Sequence, residues 1–561
     1  MSVSSACLGI IHEYTSDSQK FAREGRILSV ISPWRAYELS LQLFYICLQT
    51  IIILLFKPTP PKTPDQPTKP LGRVAVIGAG LTGISSSAHA IAHGFDVVIY
   101  EAGDRPGGIW AHVNRTSGLQ LNSLIYRFHP AVLWSHAFPR RDEVLREIRR
   151  VWKEYQLEPR TRFNTPVTSV KRAPKEAVNA DDLDPKHQGH ARWLINDGSD
   201  GPFDAVIVTV GTCGKPQKIG FPGMPNSEES SDGKSDKSDN KQQGKNAEDE
   251  HEGEVFQGQV IHSSELDDAD LEGKTVVVVG SGASGVEAVE TALSKGAKAT
   301  IMIARDDKWI IPRNIIFDTT LSAQPFGRET PLSFIWEWVL KKWHYRGVED
   351  LAPAHRGIFE GTPVVNDAFL DHVRTGKCSY IRGDTLRLIN SGALVNTRSR
   401  ESKPKDPGEK KEFKGDVVVL ATGFQRPQID FLPEDIFPED YQRPDLYLQN
   451  FPTEDWSILM TNSAYVNAIG TVGHFHIGIY TRILLSLLMD KDARPSPKDM
   501  KLWVDNVRFV KRGARGSPLS FFTYMELTLW LLLFHVLRPD RIRWVFFIMQ
   551  GWGVTPKEYK H

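Results

Sequence analysis

Two glycine triads carry the clearest chemistry in this 561-residue chain. Gly78, Gly80 and Gly83 stand in residues 73–83, RVAVIGAGLTG, straight after an apolar run, and Gly280, Gly282 and Gly285 stand in residues 274–285, KTVVVVGSGASG. The spacing G-x-G-x-x-G after a buried strand gives a turn too tight for side chains and a helix whose first amides stay free. With the positive end of the helix dipole, those amides suit a pyrophosphate. A lone triad is weak evidence, so the residue ending the next strand decides. Residues 95–101, FDVVIYE, end in Glu101, a carboxylate that accepts from a ribose 2′-hydroxyl and repels a 2′-phosphate. Residues 297–305, AKATIMIAR, end in Arg305, whose guanidinium holds a phosphate in a bidentate pair. The first site therefore reads as taking a dinucleotide without the extra phosphate. The second reads as taking NADP(H) through Arg305, with Lys308 as helper or as a solvated surface charge. Between them, Gly107, Gly108 and Trp110 in AGDRPGGIW offer another close backbone approach to the first cofactor.

These groups need an α/β frame of two Rossmann-like dinucleotide-binding domains. The buried strand in residues 203–211, FDAVIVTVG, is echoed by residues 416–424, DVVVLATGF, on the far side of the second triad. The chain is thus expected to leave the first domain, build the second inside it and return. The divisions expected are an extension 1–72, a first domain in parts 73–221 and 411–500, a disordered insertion 222–255, a second domain 256–410, and a C-terminal apolar segment 501–561. The insertion is polar and mixed in charge and cannot bury enough surface to order itself.

The extension holds LSLQLFYICLQTIIILLF at 39–56, long enough to reach across a bilayer core and weakened by Gln42, Gln49 and Thr50. It reads as a membrane anchor, or as an amphipathic helix packed on the body's own surface. Flanking basic residues on both sides give no orientation. KPTPPKTPDQPTKP at 57–70 reads as a stiff spacer. Near the C-terminus, FFTYMELTLWLLLFHVL at 521–537 embeds Glu526 and His535, and a carboxylate is costly inside lipid. An interfacial or tunnel-lining helix is expected there rather than a span. The Trp-rich run at 334–343 reads as core or as membrane-facing surface.

The 68 basic residues equal the 68 acidic ones, so no basic excess argues for nucleic acid. Cys7, Cys47, Cys213 and Cys378 are scattered. That spacing speaks against a disulfide framework, a zinc site and a C-x-x-C redox pair, and no metal is expected.

Residues 256–266, FQGQVIHSSEL, are similar to the F-x-G-x-x-x-H-x-x-x-aromatic signature of class B flavin monooxygenases, the group of flavin-containing and Baeyer–Villiger monooxygenases. Phe256, Gly258 and His262 match, and Leu266 replaces the aromatic residue. ATGF at 421–424 and NAIGTVGHFHIGIYTR at 467–482 resemble later segments of the family, so the likeness spans residues 73–490. It implies FAD at the first triad, NADPH at the second, and an oxidoreductase without a protein nucleophile. Reduced flavin would take up O2 as a C4a-(hydro)peroxide and pass one oxygen atom to a lipophilic small molecule. The apolar terminal segments point to an intracellular membrane, the endoplasmic reticulum included, and the resemblance admits a secondary metabolite as substrate.

Asn122 falls where flavin-containing monooxygenases carry an active-site asparagine and Baeyer–Villiger enzymes an aspartate. Its amide would donate to the flavin or to NADP, or else satisfy its own loop. His262 reads as structural, coupling domain rotation to cofactor binding. Asn122 and Leu266 favour N- or S-oxidation, hydroxylation or epoxidation. Residues 305–313, RDDKWIIPR, resemble a Baeyer–Villiger run and keep ketone-to-ester or lactone conversion as the alternative. A non-catalytic, membrane-tethered flavin-binding protein is the remaining one.

Overall fold

The computed structural model describes residues 33–61, 70–124, 126–174, 192–225, 253–314, 331–361, 363–464, 476–512 and 524–552, with a few isolated positions besides. Most of the insertion expected at 222–255, most of the proline-rich spacer and the glycine-rich run at 467–475 lie outside the described residues.

Helix α1 (Pro33–Phe56) precedes a β-α-β unit made of β1 (Arg73–Ile77), α2 (Leu81–Ala92) and β2 (Asp96–Tyr100). Helix α3 (Arg141–Glu154), β3 (Thr161–Arg162), a hairpin of β4 (Val170–Arg172) and β5 (Trp193–Ile195), and β6 (Ala205–Val208) follow. The next unit runs β7 (Gln259–His262), β8 (Thr275–Val279), α4 (Ala283–Ser294), β9 (Ala299–Ala304), β10 (Ile310–Ile311), α5 (Ser333–Trp343), β11 (Val364–Val365) and α6 (Phe369–Arg374). It continues through β12 (Cys378–Ile389), β13 (Gly392–Thr397), β14 (Glu409–Lys414) and β15 (Val417–Leu420). The chain ends on β16 (Ile458–Leu459) and helices α7 (Ile477–Met489), α8 (Pro497–Val510), α9 (Tyr524–Val536) and α10 (Val545–Gln550).

The first sheet has the order β16-β6-β1-β2-β3 and is parallel throughout. In both β1 and β2 every residue after the first is buried, the continuous apolar run of a sheet covered on both faces. The second sheet has the order β14-β13-β12-β9-β8-β15-β7, parallel from β12 to β7 and antiparallel at its β12-β13-β14 edge.

One boundary differs from the sequence reading. The sequence reading puts residues 411–420 with the returning part of the first domain, yet β15 is hydrogen-bonded between β7 and β8 in the second sheet. The return is made by β16, whose Ile458 and Leu459 pair with Val206 and Ile207 of β6. A buried parallel strand ending in glycine looks alike in either sheet, and its neighbours lie too far along the chain to be read locally. The outgoing and returning connections run side by side as a ribbon: Gly214 N–H donates to Gln425 O (2.7 Å), Gln425 N–H to Lys215 O (2.8 Å) and Gln217 N–H to Gly423 O (2.9 Å).

Both terminal apolar segments are docked on this body. Helix α1 buries Ile46 and Gln49 while Leu41, Phe44, Ile51, Leu54 and Leu55 face outward. Among the described residues it is the one helix long and apolar enough to cross a membrane. Helix α9 has 13 residues, about 20 Å, which is shorter than a bilayer core. Its Glu526 is fully buried and ion-paired with Lys511 at 2.9 Å, which explains how an apolar helix tolerates a carboxylate.

Candidate active site

At the end of β1, Gly78 turns with φ of +106°, a conformation that favours glycine. A Cβ on Gly83 would lie 1.9 Å from the Gly78 carbonyl oxygen, so helix α2 starts in direct contact with the turn. The second glycine pair closes over this loop. Gly107 N–H donates to Ala79 O at 2.9 Å, and a Cβ on Gly108 would lie 3.0 Å from the Gly80 Cα. Trp110 follows in a short 3-10 turn, Gly108–Ala111, half-buried against the first core. Glu101, at the end of β2, accepts from Ala79 N–H (2.6 Å) and Gly103 N–H (2.8 Å). Each oxygen retains a second lone pair, so the carboxylate that shapes the loop keeps acceptor capacity toward a ribose. This cradle of backbone amides fits a flavin dinucleotide.

The second cradle repeats the sterics. Gly280 has φ of +118°, and a Cβ on Gly285 would lie 2.0 Å from Gly280 O. A Cβ on Gly282 would meet nothing within 4 Å, so this side of the loop is open to a ligand. Arg305 is exposed immediately after β9, with its carbonyl held by Arg398 Nη2 at 2.8 Å. Nearby, Asp306 binds Arg356 at 2.8 Å and lies 3.9 Å from Lys308. Burial, then Arg356 and Arg305, holds the Lys308 ammonium below the usual lysine range. Three cations about one carboxylate leave positive charge beside the cradle, which fits a 2′-phosphate.

The signature residues work as a joint. Phe256 is buried, and a Cβ on Gly258 would lie 2.2 Å from Asp416 O and 2.6 Å from the Phe256 ring. The His262 Nδ1 accepts from Ser264 N–H at 3.2 Å, which places the ring proton on Nε2, 3.0 Å from Gly423 O. Burial lowers its pKa, so the ring is neutral and pins the returning connection while packing edge-on to Phe424.

Leu266, where the family carries an aromatic residue, is wholly buried. Its N–H donates to Asn114 Oδ1 at 3.1 Å, and Asn114 Nδ2 donates to Ser263 O at 2.6 Å. Asp267 accepts from Arg115 N–H (2.9 Å) and Arg141 Nη1 (3.2 Å). Asn114 and Asp267 thus clamp the first domain onto the turn after the signature. Nothing in their sequence neighbourhood marks them, because each acts on a partner about 150 residues away.

Asn122 is buried, and its Oδ1 accepts from Leu124 N–H at 3.0 Å. The carbonyl end therefore shapes the loop. The loop hangs between two helices: Ser85 of α2 donates to Phe128 O at 2.5 Å, and Ser123 bonds the Tyr45 hydroxyl of α1. Trp309 of the 305–313 run is a core residue, donating to Arg356 O at 2.8 Å and edge-on to Tyr345 at 5.8 Å. Packing accounts for its presence.

Comparison with known proteins agrees with this geometry. Residues 72–313 match the family described as pyridine nucleotide-disulphide oxidoreductase, and residues 251–482 match the family described as flavin-binding monooxygenase-like. The chain is 25% identical over 422 residues to flavin-containing monooxygenase 5 of Homo sapiens, covering 67% of this chain and 68% of that one. It is 26% identical over 257 residues to a Baeyer–Villiger monooxygenase of Pseudomonas aeruginosa, covering 44% and 41%. Among solved structures, an oxidized steroid monooxygenase bound to NADP shares the fold with a TM-score of 0.59 at 15% identity, over 85% of this chain and 98% of that chain.

Proposed function

We propose that this chain is a class B flavin monooxygenase that uses FAD and NADPH to insert one oxygen atom from O2 into a small molecule, by electrophilic oxygenation of a lipophilic substrate taken from a lipid surface. The observation that carries the reading is Asn122, a buried amide whose oxygen is held by its own loop. An asparagine here brings N–H groups at neutral charge, where an ionised aspartate would bring acceptors alone. Bound flavin, reduced by NADPH, supplies the oxygen activation itself.

The chain's own residues bind, orient and shield. Gly80 and Gly108 let backbone approach the first dinucleotide, and Glu101 holds its ribose. Gly280, Gly282 and Gly285 seat the second, with Arg305 and Lys308 on the 2′-phosphate. His262 and Gly258 keep the two domains in register rather than transferring protons. The outward apolar side chains of α1, with Leu532, Val536, Phe546 and Trp552 near the C-terminus, support a membrane-facing side that delivers hydrophobic substrate.

The test supplies NADPH and 18O-labelled O2 with methyl phenyl sulfide and, separately, cyclohexanone. A sulfoxide carrying one labelled oxygen, with no lactone from the ketone, is the expected outcome. Labelled lactone as the main product would overturn the electrophilic reading.

A further inference from the structure

We infer that Gln49 of helix α1 is a positioning residue for the loop that carries Asn122, so that α1 is a wall of the oxygenation site and not a detachable leader. The inference rests on the reading of Asn122 given above. It starts from an unusual pairing. Gln49 Nε2 donates to Trp134 O at 2.8 Å, and Gln49 Oε1 accepts from Trp134 N–H at 2.8 Å. One side-chain amide thus satisfies both backbone groups of a single residue. The same Oε1 accepts from Arg127 Nη1 at 3.0 Å, and Arg127 in turn donates to Pro130 O.

The amide and its direct partners are buried: Gln49 and Trp134 are 0% exposed and Arg127 is 3% exposed. A polar network without water access holds its geometry firmly, because each unmade bond leaves a desolvated partner behind. One turn earlier on α1, Tyr45 bonds Ser123, the residue after Asn122. Tyr45 and Gln49 are four apart and share one face of the helix. That face grips the loop at both ends, at Ser123 and at Trp134, while Ser85 of α2 holds its middle at Phe128. The helix lies ahead of the residues matched by either family description, which begin at 72. Lys57, which pairs with Glu154, and the carbonyls of Pro58 and Pro61, which accept from Tyr155 and Gln156, continue the docking past the helix end.

The test uses the full-length, FAD-loaded protein and its Gln49→Leu and Tyr45→Phe variants. Hydrogen exchange at the Trp134 amide reads the loop directly. Hydrogen peroxide released per NADPH oxidised, with no substrate added, reads how well the site is shielded. Gln49→Leu is expected to speed Trp134 exchange at least about tenfold and to raise peroxide release severalfold, with FAD content and the KM for NADPH unchanged. Tyr45→Phe, which removes one hydroxyl and leaves the ring, is expected to move both readouts the same way by less. Faster exchange with unchanged peroxide release in both variants would mean that α1 only packs, and the proposal falls. Loss of FAD from Gln49→Leu with Tyr45→Phe silent overturns it equally. Asn122→Ala, run alongside, separates the two readings: no change there removes Asn122 as donor, while Gln49 is still judged by its own exchange and leak.

Discussion

At the scale of single residues, the glycines were readable because their reasons are local. A Cβ at 83 or 285 strikes a carbonyl two ångströms away in the same turn, so spacing alone reveals the site. Glu101 is legible for the same reason, standing one strand after its triad and bonding the first turn, and Arg305 stands at the corresponding place after the second. Arg305 yields a sharp expectation. A charge-assisted contact to phosphate is worth about 1.5–3 kcal/mol, so Arg305→Glu should lower the NADPH-over-NADH ratio of kcat/KM by about tenfold or more. Steady-state kinetics with both nucleotides measures it, and an unchanged ratio removes Arg305 from the 2′-phosphate site. Asn114 and Gln49 were not readable, since an amide flanked by ordinary residues gains its meaning from a carbonyl brought up by tertiary folding.

Among the elements, the parallel strands and their helices followed from apolar runs and punctuation, but their neighbours did not. The strand at 417–420 shows why: four buried aliphatic residues specify a central position and say nothing about which sheet. The terminal helices show the converse. Glu526 within α9 marks a carboxylate that an apolar helix cannot leave unpartnered, and the partner that makes it tolerable, Lys511, sits just beyond α8. Removing one member takes the ion-pair partner from a charge buried in the core. Glu526→Leu or Lys511→Met should each cost about 3–5 kcal/mol in urea unfolding, whereas the two combined should recover most of the loss. Additive losses in the double variant would show that the pair is not a unit.

For the whole molecule, acid sensitivity follows from the buried His89 and His129 and the half-buried His93, which join α2 to the loop at 129. His89 lies 4.7 Å from His129 and 6.4 Å from His93 between ring centroids, and Arg482 reaches His89 at 3.2 Å. Burial comes first among the causes that lower all three, with His93 pushed down to about 3. They fold neutral and are protonated when unfolded below about pH 6.5. The unfolded chain then binds more protons, so stability is full above that value and falls as pH drops through it. The loss is at most about 1.4 kcal/mol per pH unit for each group. Thermal unfolding from pH 8 to pH 5 should show this fall, and His93→Gln should flatten it; a level profile would mean that these rings do not govern the acid limb.

The nested arrangement also dictates an order of assembly. Val206 and Ile458 pair in the first sheet although they are roughly 250 residues apart, and everything between them belongs to the connections and to the second sheet. Closing so long an unstructured loop is entropically costly and slow. If the second sheet forms first, the ribbon at Gly214 and Gln425 draws the two ends together and the remaining gap is short. A ribosome that has emitted only the first 450 residues has therefore made both glycine cradles, yet the strand that completes the first sheet has not been synthesised. The sheet that frames the first cradle is thus completed only by a strand that follows the whole second sheet along the chain.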